Sequence, residues 1–588
     1  MKESEYAAYR HSTRPSRSAR DCTANAFEEP CSRSPTNAAA SPASTDRGLP
    51  SVCETRRVKV RIPVTNVAEL VRRRASQHGD HPALVDGDTR LTWAELDRQV
   101  DAVARGLAGA GLVAGHRVAF ALPNRIELVV TYLATLRAGC VAVPLNPTSA
   151  TGEVARMLAD SGARLCLADT STVATVRAAL GDAPSGTAAS PAAGARGAIR
   201  GSTVIVVGSS AASGEMTYAD LHVDGSPVMS PLDREALAVL LYTSGTSGRP
   251  RAAMLSHRAL LANIDQASQT SPAPVNRRDI VLGVLPLFHV YGLNAVLGQV
   301  LLQGASLVLG TRFDSDETLR LVAAERVTVV PVAPPVIAAW VGRDDVVERL
   351  ASVRTLLSGA GPLAEDLVRE FESRTGIAVE QGYGLTEAAP IVTSTIGTPV
   401  HKPGSAGRAV PGVELRVVDA AGAPTGVDDA GEILVRGDNV FSGYWPEGAE
   451  APSSDGWLAT GDIGFLDSDG DLFMVDRVKE MVIVSGFNVY PSEIEDVVRE
   501  VAGVRECAVI GVADPRTGEA VLVYVAPTPE ADREALPAAV RRHCAQRLAR
   551  FKQPAGVELV DTLPHSASGK VAKGRLREEQ QRRAIGLA

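Results

Sequence analysis

Lysine is nearly missing from this chain of 588 residues: of its 60 basic side chains, 7 are lysines and 53 are arginines. A lysine inside a motif is therefore informative, because arginine serves wherever a diffuse cation suffices. Aromatic residues make up only 4%, which disfavours a base-stacking platform. The net charge of −8 lacks the basic excess of a duplex nucleic-acid binder. Seven cysteines (Cys22, Cys31, Cys53, Cys140, Cys166, Cys507 and Cys544) form no C-x-x-C pair and no Cys/His cluster of zinc spacing. No H-E-x-x-H occurs. So few cysteines in so long a chain exclude a disulfide scaffold, and a reducing cytoplasm is the expected compartment. The longest apolar run, near 327–342, contains Pro331, Pro334 and Pro335, so it predicts a strand and loop rather than a membrane span. No charged start with an apolar stretch behind it opens the chain, so no signal peptide is expected.

What is present is ordinary in bulk: 45% hydrophobic and 22% charged residues, enough to bury a large core. At roughly 150 residues per domain, about four structural units are expected. Residues 1–58 are rich in Ser, Ala, Arg, Pro and Thr without apolar periodicity and read as a disordered extension. Residues 182–202 read as a second flexible insertion. Elsewhere strands and helices alternate. Strands are predicted at 116–122, 140–145, 236–242 and near 281–285, 306–309, 327–333, 354–358 and 377–381. Helices are predicted at 124–138, 256–267, 316–325 and 364–375. That alternation predicts α/β layers with largely parallel sheet. After about residue 410, short strands with turn signals imply a β-rich subdomain. From Met481 onward, a strand, a helix at 491–501, two strands, a helix at 532–549 and a strand at 556–560 predict a compact α+β unit. Ile494, Val497, Val498 and Val501 give its first helix one buried face.

The strongest local signal is LLYTSGTSGRPRAAMLSH, residues 240–257. It reads as a buried strand, a Thr/Ser/Gly loop and a following helix. Gly245 and Gly248 let backbone N–H groups turn toward an anion, and Thr243, Ser244, Thr246 and Ser247 add hydroxyl donors, so the loop predicts a phosphate cradle. It is not a Walker A loop, since the sole Gly-Lys pair is 569–570 in the wrong surroundings. Further segments are LPLFHVYGL (285–293), SGAGPL (358–363), QGYGLTEAAP (381–390), GWLATGDIGFLD (456–467), DRVKEMVIVSGFNVYPSEIE (476–495) and LPHSASGK (563–570). Small residues Gly359, Ala360 and Gly361 allow a flat base to approach backbone. A carboxylate such as Glu387 beside phosphate oxygens is a hard ligand suited to Mg²⁺.

In that order, these segments resemble the adenylate-forming enzymes: acyl-CoA synthetases, peptide-synthetase adenylation domains and luciferases. The resemblance covers about residues 65–580. It implies an α/β fold with a large N-terminal domain (59–478) of layered α/β subdomains plus the β-rich one. A small mobile C-terminal domain (479–588) would be hinged at Lys479. It further implies that His289 borders the acyl pocket, Gly382 and Tyr383 face adenine, and Thr386 bonds the α-phosphate. Glu387 and Thr246 would bind Mg²⁺, Asp462 the ribose, and Arg477 the nucleotide. Gly486 would line the pantetheine path, and Lys570 would bridge the attacking carboxylate and the α-phosphate. The phosphate loop departs from the family in carrying Arg251-Ala252 in place of Lys-Gly.

The implied activity is an acid:CoA ligase using ATP, Mg²⁺ and coenzyme A, with a fatty acid as the expected acid. The alternatives are an aryl or short-chain acid ligase similar to 4-coumarate:CoA ligases, a fatty acyl-AMP ligase, a luciferase-type oxygenase and a non-catalytic nucleotide- or acyl-binding sensor. Phe288-His289-Val290-Tyr291-Gly292 carries no acid to pair with an amine, which argues against an amino-acid substrate. With no carrier-protein segment after residue 588, a free-standing enzyme is expected. The expected partners are the carboxylic acid, ATP and CoA, with no nucleic acid and no transmembrane segment. A homodimer and an acetyltransferase acting on Lys570 complete the expectations.

Overall fold

A computed structural model describes residues 64–181, 203–208, 211–243, 250–361, 363–477, 480–484, 487–514, 517–548, 550–565 and 570–584. The segments 1–58 and 182–202, expected from sequence as an extension and an insertion, the phosphate loop from Ser244 to Gly248, Lys479 and Gly486 lie outside them, as does the side chain of Arg477.

Among the described residues, two seven-stranded sheets organise the large part of the chain. One runs, in spatial order, Val379–Gln381, Thr355–Ser358, Val329–Val332, Ile280–Gly283, Ser306–Leu309, Pro82–Asp86 and Thr89–Thr92. The other runs Met216–Thr217, Thr203–Val207, Leu165–Asp169, Arg117–Ala121, Val141–Pro144, Leu237–Thr243 and Arg251–Ser256. Each is parallel except for an antiparallel hairpin strand at its last edge. The strand cores are runs such as Val118–Phe120 and Val329–Val330, buried on both faces, as covered parallel sheets require. Helices Trp93–Gly109, Ile126–Arg137 and His257–Ser268 contribute Trp93, Leu96, Leu128, Leu133, Leu260 and Ile264 to the largest apolar core.

Two local readings change. The stretch after the phosphate loop is a strand, not the start of a helix. Arg251–Ser256 folds back along Leu237–Thr243 with Thr243 opposite Arg251 and Leu241 opposite Ala253. Ala252, Ala253 and Leu255 are buried there, and the helix begins only at His257, where the Ser256 side chain caps Ala259 N–H. The loop thus joins two strands. Likewise, the loop expected beyond Pro331 is the helix Pro334–Val341, whose prolines occupy its first turn, where no N–H partner is lost.

A four-stranded antiparallel sheet follows: Val413–Val418, Gly431–Gly437, Leu458–Leu466 and Leu472–Arg477. The small unit sets Phe487–Val489, Val482–Val484, Gly518–Pro527, Val504–Asp514 and Gly556–Leu559 in one sheet. Helices Pro491–Arg499 and Leu536–Arg547 pack on it through Ile494, Val498, Val540 and Cys544. A third helix, Lys573–Ala584, was not foreseen from its polar sequence; Leu576 seats it against Ala508 and Ile510. No described helix is long and apolar enough to cross a membrane.

Candidate active site

Parallel strands point the same way, so the loops after their carboxyl ends gather at one edge of the sheet, where α/β proteins bind ligands. Gly283, Val332, Ser358 and Gln381 end four such neighbouring strands. The next residues carry the LPLFH, SGAG and GYGLTEAAP segments.

His289 opens a π-helical turn, Tyr291–Val296, which runs into the helix Leu297–Gln303. Asn124 positions the segment: its Oδ1 accepts Leu287 N–H at 2.9 Å while its Nδ2 donates to Gly283 O and Leu285 O. Tyr291 N–H donates to His289 Nδ1 at 3.3 Å, which leaves the imidazole proton on Nε2. Burial, and then the positive charge of Lys570, push His289 down to about 4, so it is neutral near pH 7. The Tyr291 ring lies against Gly359, where an added Cβ would come within 2.8 Å of ring Cε1, and its hydroxyl donates to Leu357 O at 3.1 Å. Ala360 takes a left-handed backbone at φ +68°. A Cβ on Gly361 would sit 4.0 Å from Lys570 Cε. The small unit therefore presents Lys570 to the glycine-rich turn and to His289 together.

Gly382 passes so close to a crossing strand that a Cβ would fall 2.5 Å from Thr393 O. Tyr383 follows, donating its hydroxyl to Asp462 Oδ2 at 2.6 Å. Asp462 is buried on the strand Leu458–Leu466, directly opposite Arg477 in the antiparallel register. Thr386 is buried in a short 3₁₀ turn, Thr386–Ala388, ended by Ala389 at φ +62°. Three asparagines absent from the sequence reading hold this turn. Asn439 Nδ2 donates to Ala388 O at 2.8 Å, Asn294 Nδ2 to Ala389 O at 2.7 Å, and Asn263 Nδ2 to Ile391 O at 2.7 Å. The available signal was an amide on an otherwise apolar helix face, as at Asn263 and Asn294, where only a buried partner makes it tolerable.

The carboxylate of Glu387 is likewise held by a residue the sequence reading missed. Tyr444 donates its hydroxyl to Glu387 Oε1. The Arg251 guanidinium stacks 3.7 Å from the centre of the Tyr444 ring and pairs with Glu450 at 2.8 Å. A lysine could not stack in this way, so the departure at Arg251 has a use in the fold. Thr243 ends its strand with Oγ1 3.5 Å from Arg251 O.

The hard carboxylate of Glu387, next in sequence to Thr386 and with no soft ligand in the set, fits a divalent cation that shares its shell with phosphate oxygens. The small residues at 359–361, the phenol of Tyr383 and the buried Asp462 fit a purine nucleoside. The structure thus brings Thr243, Arg251, His289, Gly359, Ala360, Gly361, Gly382, Tyr383, Thr386, Glu387, Asp462 and Lys570 to one region.

The acidic turn Asp467, Asp469 and Asp471 is a different matter, because Lys402 already fills it, with Nζ 2.6 Å from Asp469 and 3.0 Å from Asp471.

Residues 71–445 match the family AMP-binding enzyme, and residues 493–570 match the AMP-binding enzyme C-terminal domain. Feruloyl-CoA synthase of Amycolatopsis sp is 37% identical, covering 86% of this chain and 97% of its own length. The long-chain-fatty-acid–CoA ligase of Yersinia pestis is 32% identical, with 88% and 94% covered. The crystal structure of ATP-bound MatB from Rhodopseudomonas palustris is 32% identical and superposes with a TM-score of 0.77 over 88% of this chain and 99% of its own.

Proposed function

The chain belongs to the AMP-binding enzyme family, and on that premise we propose that it is an ATP-dependent acid:CoA ligase whose acid carries an aromatic ring. The observation that carries the choice of acid is Tyr291. Its ring is wedged against Gly359 and tethered to Leu357 O, across the space between the 289–294 turn and the 358–361 turn. An extended alkyl chain needs that space, whereas a flat ring can stack against the phenol face. We take the aryl acid, the alternative in the sequence reading, ahead of the fatty acid. The feruloyl-CoA synthase relative supports the same reading.

In the first half-reaction a carboxylate oxygen of the acid attacks the α-phosphorus of ATP, and the bond to pyrophosphate breaks. Lys570 supplies a cation where charge develops on the attacking and α-phosphate oxygens. Thr386 offers a hydroxyl to the same phosphate, and neutral His289 offers its Nε2–H to the carboxylate rather than acting as a base. Mg²⁺, held by Glu387 with phosphate oxygens, would neutralise charge on the departing pyrophosphate. In the second half-reaction the thiol sulfur of CoA attacks the acyl carbon and AMP leaves. Lys479 is the hinge between the two arrangements in this reading, and Gly486 borders the thiol's path. Acetylation of Lys570, in the sequence Pro564–Lys570, would remove the charge that the first step needs and leave the second intact.

The test is pyrophosphate release over a panel of hydroxycinnamates, benzoates, dicarboxylates and fatty acids of increasing length, with and without CoA. Hydroxycinnamates or benzoates are expected to exceed fatty acids in kcat/KM by at least tenfold. A preference for long alkyl chains would overturn the choice of acid, and no pyrophosphate with any acid would overturn the ligase reading.

A further inference from the structure

Lysine is rare in this chain, and Lys573 sits where a cation is least at home. It is the first residue of the helix Lys573–Ala584, whose first turn holds no acid. A positive charge there opposes the helix dipole and needs compensation. Lys573 has it: Nζ lies 2.9 Å from Glu480 Oε2 and 2.8 Å from Glu495 Oε1. Lys573 and Glu495 are largely buried, and Glu495 Oε1 also accepts Val509 N–H from the central sheet at 2.8 Å. Burial alone would lower Lys573, but the two carboxylates hold it above the usual lysine range, so the ammonium persists.

The three residues come from three parts of the small unit. Glu480 is the first described residue after the hinge position, Glu495 belongs to the helix Pro491–Arg499, and Lys573 lies three residues beyond Lys570. The root of the Lys570 loop is closed by a bridge between His565 and Val571 and by Ala572 N–H donating to Pro564 O at 2.7 Å. Those bonds close the loop's root but do not tie it to the hinge. The Lys573 bridge does.

We propose that Lys573 is a positioning residue for Lys570: by clamping Glu480 to Glu495 it fixes the root of the catalytic loop to the chain leaving the hinge. Rotation of the small unit then delivers the Lys570 ammonium to the glycine-rich turn in a single pose. The inference rests on the ligase reading and on Lys570 serving only the adenylation half-reaction. A loop root free to swing by 1 Å costs such a contact heavily, even though Lys573 touches no substrate.

The experiment uses the full chain and measures two single-turnover reactions: pyrophosphate release without CoA, and thioester formation from chemically prepared acyl-AMP plus CoA. Both must first be seen in the unaltered enzyme, and their absence is a failure of the ligase reading, not of this one. Lys573→Met is expected to slow adenylation at least tenfold with the KM values for ATP and acid within twofold, while thioester formation stays within threefold. Lys573→Arg is expected to restore adenylation to within threefold of the unaltered rate. Glu480→Gln, which keeps the shape and leaves Glu495 to pair with Lys573, should slow adenylation selectively without lowering the melting temperature. Equal losses in both half-reactions, or full adenylation in both Lys573→Met and Glu480→Gln, would overturn the proposal.

Discussion

Replacing Lys570 by Ala tests the site and the placement of the small unit in one variant. Lys570 is near enough to His289 for its charge to depress the imidazole, and its Cε approaches Gly361. Two consequences follow with definite signs. First, a preorganised cation at the developing charge is worth about 3–4 kcal/mol, so adenylation should fall by about 10²–10³. Thioester formation from supplied acyl-AMP should survive, since the electrophile in that step is the acyl carbon and no nucleophile attacks the α-phosphorus. Second, the ammonium disfavours a second positive charge on His289, so removing it should raise the His289 pKa above its value of about 4. Burial is the larger cause and remains, so the imidazole should still titrate below the ordinary histidine range. The assays are quenched-flow pyrophosphate release and an NMR titration of the His289 ring in the unaltered and variant proteins. An unmoved His289 pKa together with unimpaired adenylation would refute the assignment of Lys570 to this site.

Tyr444→Phe keeps the ring beneath Arg251 but frees Glu387. A hydrogen bond to a carboxylate of about 1.5 kcal/mol should appear as an increase of roughly tenfold or slightly more in the Mg²⁺ concentration needed for half-maximal pyrophosphate release, and an unchanged Mg²⁺ titration would contradict the role. Asn294→Leu leaves Ala389 O without its donor and should cost about 2 kcal/mol in urea denaturation while slowing adenylation, because the turn carrying Thr386 and Glu387 loosens; unchanged stability would count against the asparagine brace. His257 is pushed down to about 4 by burial, with Val67 N–H donating to Nδ1 and Asn66 Nδ2 3.2 Å from Nε2. The unfolded chain therefore binds more protons between pH 6.5 and 4, and stability should fall by about 3 kcal/mol as pH drops through that window. In His257→Gln that part of the acid slope should vanish from denaturation midpoints, and an identical slope would show that His257 is not the group responsible.

The periodicity and punctuation of the sequence alone determined the alternating layers. Strands at 306–309 and 355–358 and helices at 257–268 and 365–375 fall where the apolar runs and caps put them, because buried parallel strands and amphipathic helices leave strong local patterns. The motifs likewise singled out Gly359, Glu387, Asp462 and Lys570 as candidates, because small residues beside backbone and lone carboxylates or lysines in such segments suit nucleotide chemistry. What tertiary structure decided is everything that depends on partners remote in sequence. The strand at 251–256 exists because Leu237–Thr243 offers it an edge, 8 residues away across a loop that reads as a helix entrance. Asn124, Asn263, Asn294 and Asn439 are unremarked amides until the fold lays each against a carbonyl remote in sequence. Arg251 was only a departure from the family's Lys-Gly until Tyr444, far along the chain, came to lie beneath it with Glu387 at its tip. Local patterns record a residue's own preference for strand, helix or turn, whereas hydrogen-bond partners and stacked rings are assigned only when distant segments close on one another.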